Sequence, residues 1–321
     1  MDIYINGIAC ISAFDSQKGL QVAVEKRFVC IEPDYKLIID TRQLRRMSRV
    51  MRMGLATALK TLENASVTAP EAIVTATGLG CIDDTGSFLL KMCDPGNRTM
   101  NPTAFIQSIH NTMGGQIALY LKNNYYNNTF SQDVFSFEHA LLDTIMLLQE
   151  NEVNSVLVGG IDELTSLKFE LTSRLNKATK EKSGFYGQGE GCSFFSLSAK
   201  PSPIKFQTLI LSQEKKHEDI LEYFSLHLAN EKNTLIFTGK SGGNSDDAYH
   251  LAEDIFGTIK TVEYKKYCGD YPTASSFALW LACEVLRENV SVIASSEPTK
   301  NIIIYHAYMN RPHTLIHLSR C

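Results

Sequence analysis

Ala140-Leu-Leu-Asp-Thr-Ile-Met-Leu-Leu-Gln-Glu-Asn-Glu-Val-Asn-Ser-Val-Leu-Val158 reads as an apolar helix that runs out near Glu150-Asn151 and turns tightly into a buried strand. A second stretch repeats the pattern: Ala278-Leu-Trp-Leu-Ala-Cys-Glu-Val-Leu-Arg-Glu-Asn-Val-Ser-Val-Ile293. Any two helix–strand units share some of this pattern. Taken as a true repeat, it divides the chain into related halves at 1–200 and 201–321, with the two helices side by side at the centre. Both helices are apolar on nearly all faces, which suits helices covered on more than one side.

Outward from these helices, short β-branched or apolar runs predict strands at Ile3–Ile8, Ala72–Thr77, Ser155–Val158, Cys192–Leu197, Thr234–Thr238, Val290–Ala294 and Asn301–His306. Apolar residues at helical spacing predict helices over Leu44–Leu62, Phe137–Gln149 and Ala274–Leu286. Strands alternating with helices imply βαβ units and a mostly parallel sheet buried on both faces.

Composition narrows the function classes. The 321 residues carry a net charge of −4, with 44% hydrophobic and 21% charged residues. That balance lacks the basic excess of a nucleic-acid binder. The eight cysteines form no Cys-x-x-Cys pair and match no zinc-ligand spacing, so no metal or other cofactor is expected. Scattered thiols fit a reducing cytoplasm. Met1 to Ser12 lacks the basic start and cleavage site of a secretion signal and reads as a strand. No apolar run is long enough for a membrane span. Two nucleotide-binding patterns fail on their residues. Thr238-Gly-Lys-Ser241 has Thr234 where a P-loop needs glycine, and Gly187-Gln-Gly-Glu-Gly-Cys192 lacks the last glycine of a dinucleotide fingerprint.

Five segments in order resemble one family. They are Ile5-Asn-Gly-Ile-Ala-Cys-Ile-Ser12, Arg45-Arg-Met-Ser-Arg49, Phe105-Ile-Gln-Ser-Ile-His-Asn-Thr-Met-Gly-Gly-Gln-Ile-Ala118, Val158-Gly-Gly-Ile-Asp-Glu163 and Tyr186-Gly-Gln-Gly-Glu-Gly191. They resemble, respectively, the first strand, the Arg-Arg-Met-Asp-Arg helix, the Asn-x-x-Gly/Ala-Gly-x-Ile-Ala helix, the Gly-Gly-x-Glu turn and the Gly-Glu-Gly motif of the β-ketoacyl-ACP synthases. The fourth carries Asp162 in the place of the turn's glutamate. The resemblance implies a thiolase-like α/β fold, five layers in the order αβαβα, built from two related halves. Between Leu197 and Thr234 the chain is shorter than most ketosynthases.

A ketosynthase loads an acyl group onto a cysteine and uses two histidines to stabilise an enolate; the N-terminus of a helix lowers the thiol's pKa. Matching His139-Ala140-Leu141 to the family places the nucleophile at Val134, which has no nucleophilic atom. Thr238 stands at the first histidine, in Thr238-Gly-Lys-Ser-Gly-Gly-Asn-Ser-Asp246. In Lys265-Lys-Tyr-Cys-Gly-Asp270 the lysine is kept, as is Glu190 of the Gly-Glu-Gly motif, but Asp270 stands at the second histidine. A carboxylate there would repel an enolate. The glycine loop that supplies oxyanion donors reads Tyr308-Met-Asn-Arg311. Ser136, Cys192 and Cys268 are the residues that could replace the lost nucleophile; packing or capping is the plainer reading of each. Ser136, Glu138 and His139 cannot converge as a triad from one helix.

Phe135-Ser-Phe-Glu-His-Ala-Leu-Leu-Asp143 looks most like the ketosynthase-like subunits of aryl-polyene and flexirubin pigment clusters. The resemblance implies a non-catalytic chain length factor that pairs with an active ketosynthase and meets an acyl carrier protein. It departs from the actinomycete chain length factors, which carry glutamine at the nucleophile position. An acyltransferase or thioesterase with an unconventional nucleophile, and a homodimeric acyl- or carrier-binding protein, are the alternatives. Arg42, Arg45, Arg46, Arg49 and Arg52 are read as a basic stripe on one helix, either a solvated face or a carrier-protein dock. Asp83, Asp84 and Phe88, after Gly78-Leu-Gly-Cys81, are candidate interface or channel residues.

Overall fold

Ten strands form one sheet whose order reads the same outward from its middle in both directions. A computed structural model describes residues 1–15, 27–94, 96, 102–178, 185–212, 218–227, 233–243, 246, 249, 257, 259–292, 297–308 and 313–321. In chain order the strands are β1 (Ile3–Ile11), β2 (Arg27–Phe28), β3 (Ala72–Ala76), β4 (Tyr126–Phe130), β5 (Ser155–Asp162), β6 (Gln188–Gly189), β7 (Gly191–Ser198), β8 (Ile204–Ser212), β9 (Thr234–Thr238), β10 (Thr261–Glu263), β11 (Asn301–His306) and β12 (His313–Arg320). The sheet runs β10-β9-β11-β12-β8-β1-β7-β5-β3-β4, and β2 pairs with β6 apart from it. From the central β8–β1 contact one arm is β1-β7-β5-β3-β4 and the other β8-β12-β11-β9-β10. In each arm the outer three strands are parallel and the inner pairings antiparallel.

The described helices are α1 (Thr41–Leu44), α2 (Arg49–Ala65), α3 (Ile82–Met92), α4 (Pro102–Gln107), α5 (Thr112–Leu121), α6 (Ser136–Gln149), α7 (Ser166–Ala178), α8 (Glu218–His227), α9 (Lys265–Cys268) and α10 (Ala274–Leu286). Three buried clusters define the layers. The first joins α6 and α10 to strand faces from both arms, through residues such as Phe137, Leu141, Phe277, Leu281, Val158 and Ile304. The second packs α2 and α5 on the β1–β3 arm through Met53, Leu55, Ile117 and Phe194. The third packs α8 on the other arm through Ile220, Phe224, Ile236 and Ile303. The layers are therefore helix, sheet, helix, sheet, helix. The fold is the expected thiolase-like α/β arrangement.

Sequence accounts for the central layer. Strand β3 is buried at every position because helices cover both its faces: Val74 faces the central helices and Ile73 the outer ones. Eleven of the thirteen residues of α10 are buried. Each fully buried Leu or Phe there contributes about 1.5–3 kcal/mol over an exposed one. Both central helices end alike, with Asn151 (φ 57°) and Glu288 (φ 61°) in the left-handed conformation that closes a helix C-terminus. Gly7 on β1 is required by packing: a Cβ would lie 2.5 Å from the Thr61 carbonyl of α2.

Two predicted elements differ. Residues 290–292 form no strand, and 293 and 294 of the predicted Val290–Ala294 lie outside the described residues. The place beside β9 is taken by β11 instead, paired Ile302↔Leu235 through Tyr305↔Thr238. The predicted helix Leu44–Leu62 is interrupted. Asp40 caps α1, accepting the Arg42 N–H at 2.7 Å, and α2 begins afresh after Ser48 in an extended conformation. Arg42, Arg45, Arg46, Arg49 and Arg52 therefore do not form a stripe on one helix.

Candidate functional site

The central helix α6 begins in a tight turn. After β4, Asp133 adopts φ 58°, and a single 3₁₀ turn (Asp133–Phe135) leads into the helix. Ser136 fixes that turn. Its hydroxyl accepts the Gln132 N–H and donates to the Asp133 carbonyl, both at 2.7 Å, with the side chain buried. Val134 sits on this turn, partly exposed, at the positive end of the α6 dipole where an anionic nucleophile would be stabilised. It presents an isopropyl group. His139 bonds the Phe135 carbonyl through Nδ1 at 2.8 Å and takes no part in a triad with Ser136.

Thr238 ends β9, buried, with no hydrogen-bond partner for Oγ1 among the described residues. Its carbonyl accepts the Tyr264 N–H at 3.2 Å. Asp270 differs from the expectation of a bare repelling anion. Lys265 Nζ lies 2.7 Å from its Oδ1, with the lysine side chain 6% exposed and the aspartate 34%. Lys265 and Asp270 neutralise each other, so the local field is that of an ion pair.

A pair that sequence reasoning missed lies beside these positions. Ile302 and Ile304 of β11 face the central helices, and the two-residue period turns His306 the same way. There Glu138, in the first turn of α6, is hydrogen-bonded to His306: Oε1 lies 2.7 Å from Nδ1. Both side chains are buried, and the Phe135 ring packs 5.0 Å from the imidazole. Glu138 Oε2, His306 Nε2 and the Tyr264 hydroxyl are buried without a partner among the described residues. The available signal was a carboxylate on an otherwise apolar helix face and a histidine closing an apolar strand, 168 residues apart.

Other singled-out residues serve the scaffold. Asp162 accepts from the Thr77 hydroxyl, the Gly78 and Leu79 N–H groups, and the Thr273 N–H and hydroxyl, joining two loops to the end of β5. Glu190 accepts from Arg49 at 2.6 and 2.7 Å and from the N–H groups of Cys30 and Leu164. Burial alone would raise its carboxyl, but the Arg49 and backbone hydrogen bonds outweigh burial and hold it below the usual range. Arg49 also binds Glu32 at 2.6 Å, so its charge is committed. Arg52 donates from Nε to the Met47 carbonyl. Arg45 and Arg52, with Lys36, line a cavity of about 580 Å³ beside Asp34, Tyr35 and Leu44. Arg42 and Arg46 are exposed. Asp83 begins α3 and donates its N–H to Glu163, while Phe88 packs 5.6 Å from Phe105 among exposed Leu89, Leu90 and Ile106. Asp84, in the same first turn, is raised above the usual carboxyl range by burial.

Cys192 and Cys268 are buried, and burial pushes both thiols above their ordinary value. Neither is poised as a thiolate. Of the Tyr308–Arg311 loop, residues 309–311 lie outside the described residues.

This architecture has counterparts among solved structures. One, at 15% identity and a TM-score of 0.77, covers 100% of this chain and 99% of its own; it is a type II polyketide synthase acyl-carrier protein in complex with its ketosynthase bound to the hexaketide. The ishigamide ketosynthase/chain length factor matches at 15% identity and a TM-score of 0.79, again over 100% and 99%. A ketosynthase in complex with its chain length factor from Xenorhabdus doucetiae matches at 14% identity and a TM-score of 0.74, over 100% and 98%. The chain has the ketosynthase fold. In sequence, residues 32–174 match the β-ketoacyl synthase N-terminal domain, a span that holds the Val134 turn and Glu138. No curated protein matches the sequence. Val134 lies on the 3₁₀ turn that leads into the N-terminus of α6.

Proposed function

We propose that the chain is a ketosynthase-like subunit without condensing activity, a chain length factor that pairs with an active ketosynthase. The observation that carries this reading is the turn at Val134: helix, dipole and Ser136 bracing are intact around a side chain that cannot attack a thioester. Thr238 and the Lys265–Asp270 ion pair support it, because neither supplies the imidazole that an enolate needs. The engaged Ser136 and the buried Cys192 and Cys268 weigh against an unconventional nucleophile. In this reading the halves are residues 1–200 and 201–321, the compartment is the cytoplasm, and the pathway is of the aryl-polyene or flexirubin kind.

The partner would meet the end of the sheet, where β4 has one unpaired edge, together with the apolar surface of α3 and α4 around Asp83 and Phe88. An acidic acyl carrier protein would dock on Arg42, Arg45, Arg46 and Arg52; Arg49 leaves that set because Glu190 and Glu32 hold it.

Co-expression with a catalytically active ketosynthase of the same source, followed by size-exclusion chromatography, tests the pairing. A single co-eluting species is expected. Separate elution at micromolar concentration, or a self-paired homodimer that ignores the ketosynthase, would sink the reading. Intact-protein mass spectrometry after incubation with acyl-carrier thioesters should show no acyl adduct on this chain.

A further inference from the structure

Unpartnered buried polar atoms are concentrated where the two halves meet. Glu138 Oε2, His306 Nε2 and the Tyr264 hydroxyl belong to side chains that are each more than nine-tenths buried, and none has a hydrogen-bond partner among the described residues. They lie around one point. A Cβ added at Gly239 would fall 2.6 Å from the Tyr264 hydroxyl, 2.4 Å from that of Tyr249 and 3.2 Å from Cδ2 of His306. The Tyr249 hydroxyl already accepts the Ala307 N–H, at 3.1 Å. The imidazole edge and the Tyr264 phenol thus both come close to the backbone at Gly239, with Glu138 bonded to the Nδ1 side of the imidazole. Buried polar groups left dry are costly, and clusters of them are normally completed by a small polar occupant.

We infer that Glu138, His306 and Tyr264 form a buried binding site for a hydroxyl group carried on an acyl chain. This rests on the acyl-channel role proposed above and adds the chemistry of the chain. With a neutral imidazole whose Nδ1–H points at Glu138, the tautomer assigned from the 2.7 Å contact, Nε2 is left as an acceptor. The Tyr264 phenol supplies a donor. One acceptor and one donor facing one place match a hydroxyl, which gives one hydrogen bond and takes another. A ketone can only accept and leaves Nε2 unpaired; a methylene leaves both unpaired. The chain would enter past partly exposed Val134, with the Phe135 ring turned aside from His306.

Calorimetry on the protein co-purified with its ketosynthase tests this, using hexanoyl-pantetheine, the same thioester hydroxylated at carbon 3 or carbon 5, and the matching ketones. One hydroxylated thioester should bind at least about tenfold more tightly than hexanoyl-pantetheine, as expected of sites built to pair a hydroxyl. In Tyr264→Phe that advantage should disappear while hexanoyl-pantetheine binds as before. Glu138→Gln, which keeps the shape of the pair, should reduce it too. Equal binding of hydroxylated and plain thioesters would overturn the inference and leave the acyl-channel role standing; the unpartnered atoms would then hold only water. A ketone binding as well as the alcohol would overturn it, because Nε2 would not be the acceptor. An advantage that survives both variants would place the hydroxyl elsewhere. Failure of every thioester to bind would remove the acyl-channel role as well.

Discussion

Two sets of buried carboxylates in this protein are treated in opposite ways. Asp162 and Glu190 have their oxygens filled by hydroxyls, backbone N–H groups and a guanidinium. Glu138 has one oxygen on His306 and the other without a partner among the described residues. The first two bind loops to strands and behave as scaffold. Glu138 sits with Thr238, Tyr264 and His306 among unpaired atoms, near the turn where ketosynthase chemistry would take place. A half-satisfied polar cluster is less stable than a packed core, so this cluster is held at a cost in stability.

The comparison can be broken at its scaffold side first. Glu190→Ala leaves Arg49 and two buried N–H groups without their acceptor and should cost about 3–4 kcal/mol, read by urea denaturation. A loss below 1 kcal/mol would mean that Glu190 is no more structural than Glu138. Next comes Glu163, whose carboxyl burial pushes up to about 7 from an ordinary 4.5. Its folded-state pKa is raised, so the folded protein holds a proton that the unfolded chain releases. Stability should therefore fall as pH rises from 4.5 to 7 and level off above that range. Glu163→Gln should gain up to about 3 kcal/mol over the wild type at pH 8 and almost nothing at pH 4, measured by denaturation at both. The smallest effect is expected at Val134. Val134→Cys is close in volume and should shift stability by less than about 1 kcal/mol. The new thiol, at the positive end of α6, should react with iodoacetamide faster than Cys192 or Cys268, yet restore no condensation because Thr238 and Asp270 remain. Recovered condensation would show that the histidine positions are dispensable.

Much of the architecture was readable in the sequence because burial on two sides leaves a plain mark. Helix α10 spans the predicted residues 274–286, and β9 and β11 fall on their predicted runs, since each is mostly apolar. Strand β4, Tyr-Asn-Asn-Thr-Phe, escaped notice because an edge strand with its first two residues exposed needs no apolar alternation. The break between α1 and α2 was hidden because Arg45-Arg-Met-Ser-Arg49 has good helix formers; the Arg49–Glu190 pair and the fresh start after Ser48 decide it. At the site, Val134, Thr238 and Asp270 were found by motif resemblance. Lys265 closing on Asp270 and Glu138 reaching His306 required the folded chain, since neither pair has a local pattern that announces it.

The exposed edge of β4 has a further consequence. A sheet that ends in an unpaired strand can recruit any other strand, including one from another copy, and this is a route to aggregation. Tyr126-Asn-Asn-Thr-Phe130 is poorly suited to such stacking: Asn is a weak strand former, and Tyr126 bonds Asp143 of α6 through its hydroxyl, placing a carboxylate beside the edge. The same residues that kept this strand out of sight in the sequence keep its open side soluble while the chain is on its own.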